Sequence, residues 1–186
     1  MRGRLTVLSG PSGVGKGSVV AAVRRRHPTV WLSTSVTTRS PRPGETDGVE
    51  YHFLDQESFD RLHAAGDLLE SDRHLGASYG TPRGPVLEQL ASGTAALLEI
   101  DIEGARQVRA QFPDAQLVFL APPSFEELAR RLVGRGTEEP AKVRERLDRA
   151  RIELATEDEF DEVVINDDVE SAADRLVALM QIPESS

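Results

Sequence analysis

The sequence predicts an α/β fold: a mostly parallel sheet with helices on both faces, interrupted by one inserted small lobe. Three observations lead there. Short runs such as RLTVLS, AALLEID and AQLVFLA are apolar on both faces, as strands buried between helices require. Longer stretches with helical spacing lie between them, and that alternation favours a parallel sheet. From about Ser35 to Pro82 the rhythm breaks, because proline and glycine punctuate short strands and loops. With 186 residues, 39% of them apolar, the chain can bury one sizeable core and carry such a lobe.

The chain opens with MRGRLTVLSG. Two arginines before an apolar run resemble the start of a secretory leader. The run is too short, and glycines follow it at once, so it reads as a buried first strand. The turn LSGPSGVGKGS, residues 8 to 18, comes next. Gly10, Gly15 and Lys16 stand at the spacing of the phosphate-binding pattern G-x-x-x-x-G-K-[ST]. Glycines let backbone N–H groups turn inward around phosphate, and the helix that follows adds its positive end. The candidate loop runs from Gly10 through Pro11, Ser12, Gly13, Val14 and Gly15 to Lys16, Gly17 and Ser18. A plain glycine turn with a solvent-facing lysine is the alternative. Gly17 stands where a hydroxyl normally helps to hold Mg²⁺, and Ser18 brings one a place late. Water could replace the missing ligand, since Mg²⁺ accepts few protein groups. The helix continues through SVVAAVRRR, and Arg24, Arg25 and Arg26 suit its negative end.

Within the inserted lobe, STSVTTRSPRPGETDGVEYHF carries Arg39 and Arg42, three apart and stiffened by prolines. They could clamp one phosphate from two directions, with Tyr51 donating a hydroxyl bond; a basic surface loop is the alternative. A short helix follows at QESFDRLHAAG. LLES and SYGTPR then bring Glu70, Tyr79, Gly80 and Thr81 into the same lobe.

Back in the core, AALLEID ends on Asp101, with Glu99 two residues earlier on the same side of the strand. Asp101 could support Mg²⁺ or its waters, orient an arginine, or touch a nucleobase; the sequence leaves these open. GARQVRAQF is helical, and so is SFEELARRLVGR, whose Ser124 and Glu127 have capping-box spacing. Residues 134 to 143, GRGTEEPAKV, read as a second polar insertion. The helices AKVRERLDRARIELA and VESAADRLVALM close the pattern, and PESS reads as a frayed tail. His27, His52, His63 and His74 lack metal-ligand spacing. A net charge of −9 argues against nucleic acid or anionic membranes, whose phosphates need a clustered basic face. No run approaches the ~20 apolar residues of a membrane span. The absence of cysteine excludes disulfides and thiolate metal sites and suits the cytoplasm.

Taken together, GPSGVGK, S-x-x-x-R-x-x-R, Y-x-F, L-E, YGT and LLEIDIEGARQV, in that order, resemble guanylate kinase. The similarity continues through FLAPPSFEELARRLVGRGTE, RLDRARIELA and FDEVVIND, so it spans essentially the whole chain. The resemblance implies a phosphate-loop nucleoside monophosphate kinase core (residues 1–34 and 83–186), a GMP-binding lobe (35–82) and a lid segment (134–146). It implies transfer of a phosphoryl group from ATP to GMP or dGMP, with Mg²⁺. Lys16, Arg39, Arg131, Arg135 and Arg146 would be catalytic, and residues Gly10 to Ser18 would bind ATP together with Arg135 and Asn166. Ser35, Arg39, Arg42, Tyr51, Glu70, Tyr79, Gly80, Thr81 and Asp101 would bind GMP. Ser18 and Asp101 would serve the metal. Nucleotides would be the partners, and self-association stays open.

Several residues depart from the family pattern. Gly17 replaces Ser or Thr, as in the loop of adenylate kinases. Ser71 and Asp72 replace an aromatic residue and alanine, Ala77 replaces asparagine, and Glu103 replaces glutamine. These changes keep two alternatives in view. One is a divergent kinase for another purine nucleotide or an analogue. The other is a non-catalytic guanylate-kinase-like binding module, although such modules usually lose the loop lysine that this chain keeps.

Overall fold

The computed structural model describes residues 3–74, 76–133 and 140–180. The strand β1 (Leu5–Ser9), the helix α1 (Lys16–Arg26) and β2 (Trp31–Leu32) open the chain. β3 (Ser35–Thr37), β4 (Tyr51–Phe53), α2 (Gln56–Ala65), β5 (Leu68–His74) and β6 (Ala77–Pro82) follow. The remainder comprises α3 (Arg83–Ala91), β7 (Ala96–Glu99), α4 (Ile102–Gln111), β8 (Gln116–Ala121), α5 (Phe125–Val133), α6 (Pro140–Leu154), β9 (Glu162–Ile165) and α7 (Val169–Met180).

The main sheet is parallel throughout, in the order β2-β7-β1-β8-β9. Its strands alternate sides, as their period of two demands. Leu8, Leu97, Val118 and Leu120 face one apolar layer, which Val19, Val23, Leu128, Ala150 and Leu176 complete from α1, α5, α6 and α7. Leu5, Val7, Leu98 and Leu117 face the other, against Val86 of α3 and Ala105 and Val108 of α4. Cover on both faces is why the strand sequences are apolar on both faces.

The elements β3 to β6 form a second, mixed sheet in the order β4-β3-β6-β5. Its edge strand β5 does not offer a bare ladder to solvent. Gln107 of α4 accepts from the Ser71 N–H and donates to the Ser71 carbonyl, both at 3.0 Å. Gln111 donates to the Leu69 carbonyl at 2.6 Å. Two amides of a core helix therefore act as the missing neighbour strand.

Helix starts follow local chemistry. Asp55 caps α2 by accepting from Ser58 N at 2.7 Å, and Gly66 ends it in the left-handed region, φ 74°. Ser124 accepts from Glu127 N at 3.1 Å, half of the expected capping box. The Glu127 carboxylate turns instead to Arg130 and Arg131. The sequence reading missed α3, because Arg83-Gly84-Pro85 looks like a loop. Proline is compatible with a first turn, where the N–H has no helical partner anyway. Arg24 to Arg26 close α1, where Arg26 pairs with Glu170 and Asp174 of α7. Of the expected lid segment, 140–146 forms the start of α6; Arg135 and the rest of 134–139 lie outside the described residues. No helix among the described residues is long and apolar enough to cross a membrane.

Candidate active site

β1 delivers the chain into the phosphate loop at the carboxyl end of the parallel sheet, where α/β folds place their ligands. Gly10 and Gly15 have φ of 145° and 100°. A Cβ on Gly10 would come within 2.5 Å of the Leu120 carbonyl, and one on Gly15 within 2.7 Å of Asn166 Nδ2. Only glycine fits either position. α1 begins at Lys16, directly behind the loop. Lys16 Nζ folds back to the Gly10 and Pro11 carbonyls, at 2.7 and 3.2 Å. Burial lowers the Lys16 pKa, and the carboxylates of Glu99, Glu153 and Asp101 oppose that shift.

Three further side chains hold the loop. Asn166 is nearly fully buried and donates from Nδ2 to the Val14 carbonyl at 2.8 Å. Its Oδ1 has no hydrogen-bond partner among the described residues. Arg131 donates to the same Val14 carbonyl at 3.1 Å, so its guanidinium lies over the loop. Glu153 of α6 accepts from Ser12 N at 2.9 Å and from Arg149 Nε at 2.8 Å. Arg146 reaches back toward the Leu132 carbonyl at 3.5 Å. Gly17 and Ser18 are exposed in the first turn of α1. A Cβ at Gly17 would meet only Glu99 Oε1, at 3.8 Å.

A second centre lies in the mixed sheet. Arg39 makes two parallel 2.9 Å bonds to the Glu45 carboxylate, which also accepts from Arg42 N at 2.7 Å. Arg39 lies 5.4 Å from the Tyr51 ring centre, and Tyr79 packs edge-on against Tyr51 at 6.0 Å. The Arg42 side chain is exposed, and Ser35 stands opposite Tyr51 in the β3–β4 register. A guanidinium fork and a backbone N–H together hold this carboxylate, a donor set that suits an anion.

Glu70 and Thr81 face each other across β5 and β6, and Gly80 is buried beside them. Thr81 Oγ1 donates to Glu70 Oε1 at 2.6 Å. Glu70 is only 6% exposed. Burial chiefly, with Asp101 and Asp72 adding repulsion, raises its pKa to about 7. The N-terminus of α4 approaches closely, and a Cβ on Gly104 would come within 2.9 Å of Glu70 Oε2. Asp101 caps α4 by accepting from Gly104 N at 2.7 Å. Its pKa is raised by burial and by contact with the Asp72 carboxylate. Glu99, exposed at the end of β7, is also raised, mainly because surrounding protein takes part of its carboxylate's hydration, with Lys16 and Arg24 pulling the other way.

The structure thus brings Lys16, Asp101, Arg131 and Asn166 to the loop, and Arg39, Tyr51, Tyr79, Glu70 and Thr81 to the mixed sheet. The sequence reading did not single out Glu45, Glu153, Arg149, Gly104 or Gln107. Glu45 alone left a trace, in the turn RPGE three residues after Arg42. Glu103 is exposed and pairs with Arg106 at 2.9 Å, which offsets its charge. Among the described residues no three acidic or histidine side chains gather as a metal cage.

Comparison with known proteins bears on this site. The guanylate kinase family model matches residues 2–182. A guanylate kinase of Frankia casuarinae is 67% identical over 95% of this chain and 96% of its own length. One from Thermobifida fusca is 63% identical over 98% of this chain and 93% of its own. Among solved structures, the guanylate kinase of Anaplasma phagocytophilum superposes with a TM-score of 0.77 at 33% identity, covering 96% of this chain and 85% of that one. A shikimate kinase from Bacteroides thetaiotaomicron, at 14% identity and a TM-score of 0.50, covers 96% of this chain and 99% of that one and shares the fold alone.

Proposed function

The chain belongs to the guanylate kinase family, and on that premise we propose that it transfers the γ-phosphoryl group of ATP to GMP, or to dGMP. One observation supports the reading: the loop lysine, Tyr51 beside the Arg39 fork and the buried Glu70–Thr81 pair share acidic neighbours, since Glu99 acts on both Lys16 and Tyr51, and Asp101 on both Lys16 and Glu70. ATP lies along Gly10 to Ser18, with its outer phosphates at Lys16 and the loop N–H groups. Asn166 supports that loop from beneath and lies toward the adenine end. Arg131 joins from α5 and Arg146 from α6, and Arg135 of the expected lid segment, 134–146, would add a third cation.

The GMP lobe, residues 35–82, holds the acceptor. Arg39, Arg42, Tyr51, Tyr79 and Ser35 surround its phosphate, which replaces Glu45 in the Arg39 fork. Glu70 accepts from guanine N1–H and N2–H₂, with Thr81, Gly80 and Asp101 beside it. Adenine would set an acceptor at N1 against the same carboxylate, which penalises the wrong base. A GMP phosphate oxygen attacks the γ-phosphorus, the bond to the β–γ bridging oxygen breaks, and ADP leaves. No side chain acts as nucleophile, so catalysis is alignment and charge stabilisation. Ser18 and Asp101 would hold Mg²⁺ or its waters, and the ion, when bound, would screen the phosphate charge. Such nucleotide work suits the cytoplasm.

Phosphorus NMR of a mixture of Mg·ATP and GMP tests this. ADP and GDP should appear in equal amounts, and Lys16→Ala should slow the reaction by roughly 10²- to 10³-fold. ADP appearing without GDP, or an unaffected lysine variant, would count against the transfer.

A further inference from the structure

Glu153 has no part in the transfer as set out above, yet it stands among the groups that perform it. Its side chain, in the last turn of α6, is 17% exposed, and each carboxylate oxygen has its own partner. Oε2 takes the Ser12 N–H at the start of the phosphate loop, and Oε1 takes Arg149 Nε one helical turn back. Its charge also favours the ammonium form of Lys16. An anion so close to a polyphosphate site repels the ligand unless its charge is balanced and its oxygens are occupied. Arg149 and the loop N–H meet both conditions. Arg149 in turn faces acids from across the cleft: Asp101 at the start of α4 and Asp72 on β5 both favour its charge. Arg149 is half exposed on the same helix that carries Arg146, and it pairs there with Glu153 at 2.8 Å.

We propose that Glu153 is a positioning residue for phosphoryl transfer, which locks the leading turn of the phosphate loop to α6 and aims Arg149 at the transferring group. The proposal rests on the kinase reading above. A local tether with no catalytic consequence is the competing account, and kinetics separate the two. Steady-state rates with ATP and GMP varied in turn would be measured for the wild-type chain, Glu153→Ala, Glu153→Gln, Arg149→Ala and the Glu153→Ala/Arg149→Ala double variant, alongside thermal melts.

Positioning predicts that Glu153→Ala lowers kcat by ~10- to 100-fold and leaves the KM for GMP within about twofold. Glu153→Gln can still accept from Ser12 N, so it should fall between wild type and alanine. The double variant should be no slower than the worse single variant by more than about twofold, because Glu153 acts through Arg149. A kcat untouched in Glu153→Ala, with only a lower melting temperature, overturns the proposal; so do fully additive losses. Should the alanine variant not fold, Glu153→Gln decides: reduced kcat at an unchanged melting temperature supports positioning, and unchanged kcat overturns it. Absence of GDP formation by the wild-type chain would overturn the kinase reading and the proposal together. Normal wild-type turnover with an indifferent Glu153 overturns the proposal alone.

Discussion

Glu70 sits almost out of water with one hydroxyl donor and two acidic neighbours, so its ionised form is costly unless a ligand supplies further donors, as we propose guanine does. Its pKa of about 7 in the fold, against an ordinary 4.5, fixes the sign of the pH dependence. Between these values the folded state holds a proton that the unfolded chain has lost. Stability therefore falls as pH rises through this window, and the full cost, roughly 3 kcal/mol, is present above about pH 7. Glu70→Gln should melt several degrees higher than wild type at pH 8, with the difference closing near pH 4.5. The same titration should lower kcat/KM for GMP below about pH 7, and the glutamine variant should show a lower, flat profile. Gly17 makes a contrasting case. Its φ is ordinary and a Cβ there meets only Glu99 Oε1, so neither backbone nor space demands glycine. Gly17→Ser should gain about 0.5 kcal/mol in a melt and keep wild-type kcat. A kcat loss of more than about tenfold would show that phosphate needs the bare backbone there. Lys16, Arg39, Glu70 and Thr81 were legible because each stands in a short pattern with a chemical reason. Glu153 and Gly104 were not, because their roles depend on groups brought near only by the folded chain.

At the scale of elements, the link between the sheets matters more than either sheet alone. β5 carries Glu70 and Asp72, and its free edge hangs on Gln107 and Gln111 of α4, whose first turn holds Asp101 and Gly104. The acidic wall of the proposed acceptor site is therefore built by docking one strand on one helix. Gln107→Ala strands the Ser71 N–H and carbonyl and should cost about 1–2 kcal/mol. Because β5 moves with it, the KM for GMP should rise more than the KM for ATP, as two-substrate kinetics can test. Equal changes in both constants would speak for a general loss of packing. Sequence periodicity revealed the buried strands and most helices, since two-sided cover writes itself into composition. It missed α3, whose Gly84 and Pro85 imitate a loop, and it could not see that glutamines complete a sheet edge.

The whole molecule binds anions despite a net charge of −9. It does so by gathering cations locally: Lys16 and Arg131 at the loop, Arg39 in the mixed sheet, Arg149 on α6. Carboxylates hold two of these cations in place, Glu45 on Arg39 and Glu153 on Arg149, so both arginines are oriented before any nucleotide arrives. The parallel core places the phosphate loop at its carboxyl edge, and the second sheet carries the groups we propose for the acceptor. The central claim is that this cleft is a kinase site whose buried acid reads guanine. The most direct measurement is kcat/KM for GMP and for AMP, at pH 7.5 with saturating Mg·ATP, in wild type and in Glu70→Gln. The account predicts a preference for GMP of ~10⁴ that collapses in the variant. Equal use of AMP by the wild type, or an undiminished preference in Glu70→Gln, would contradict it.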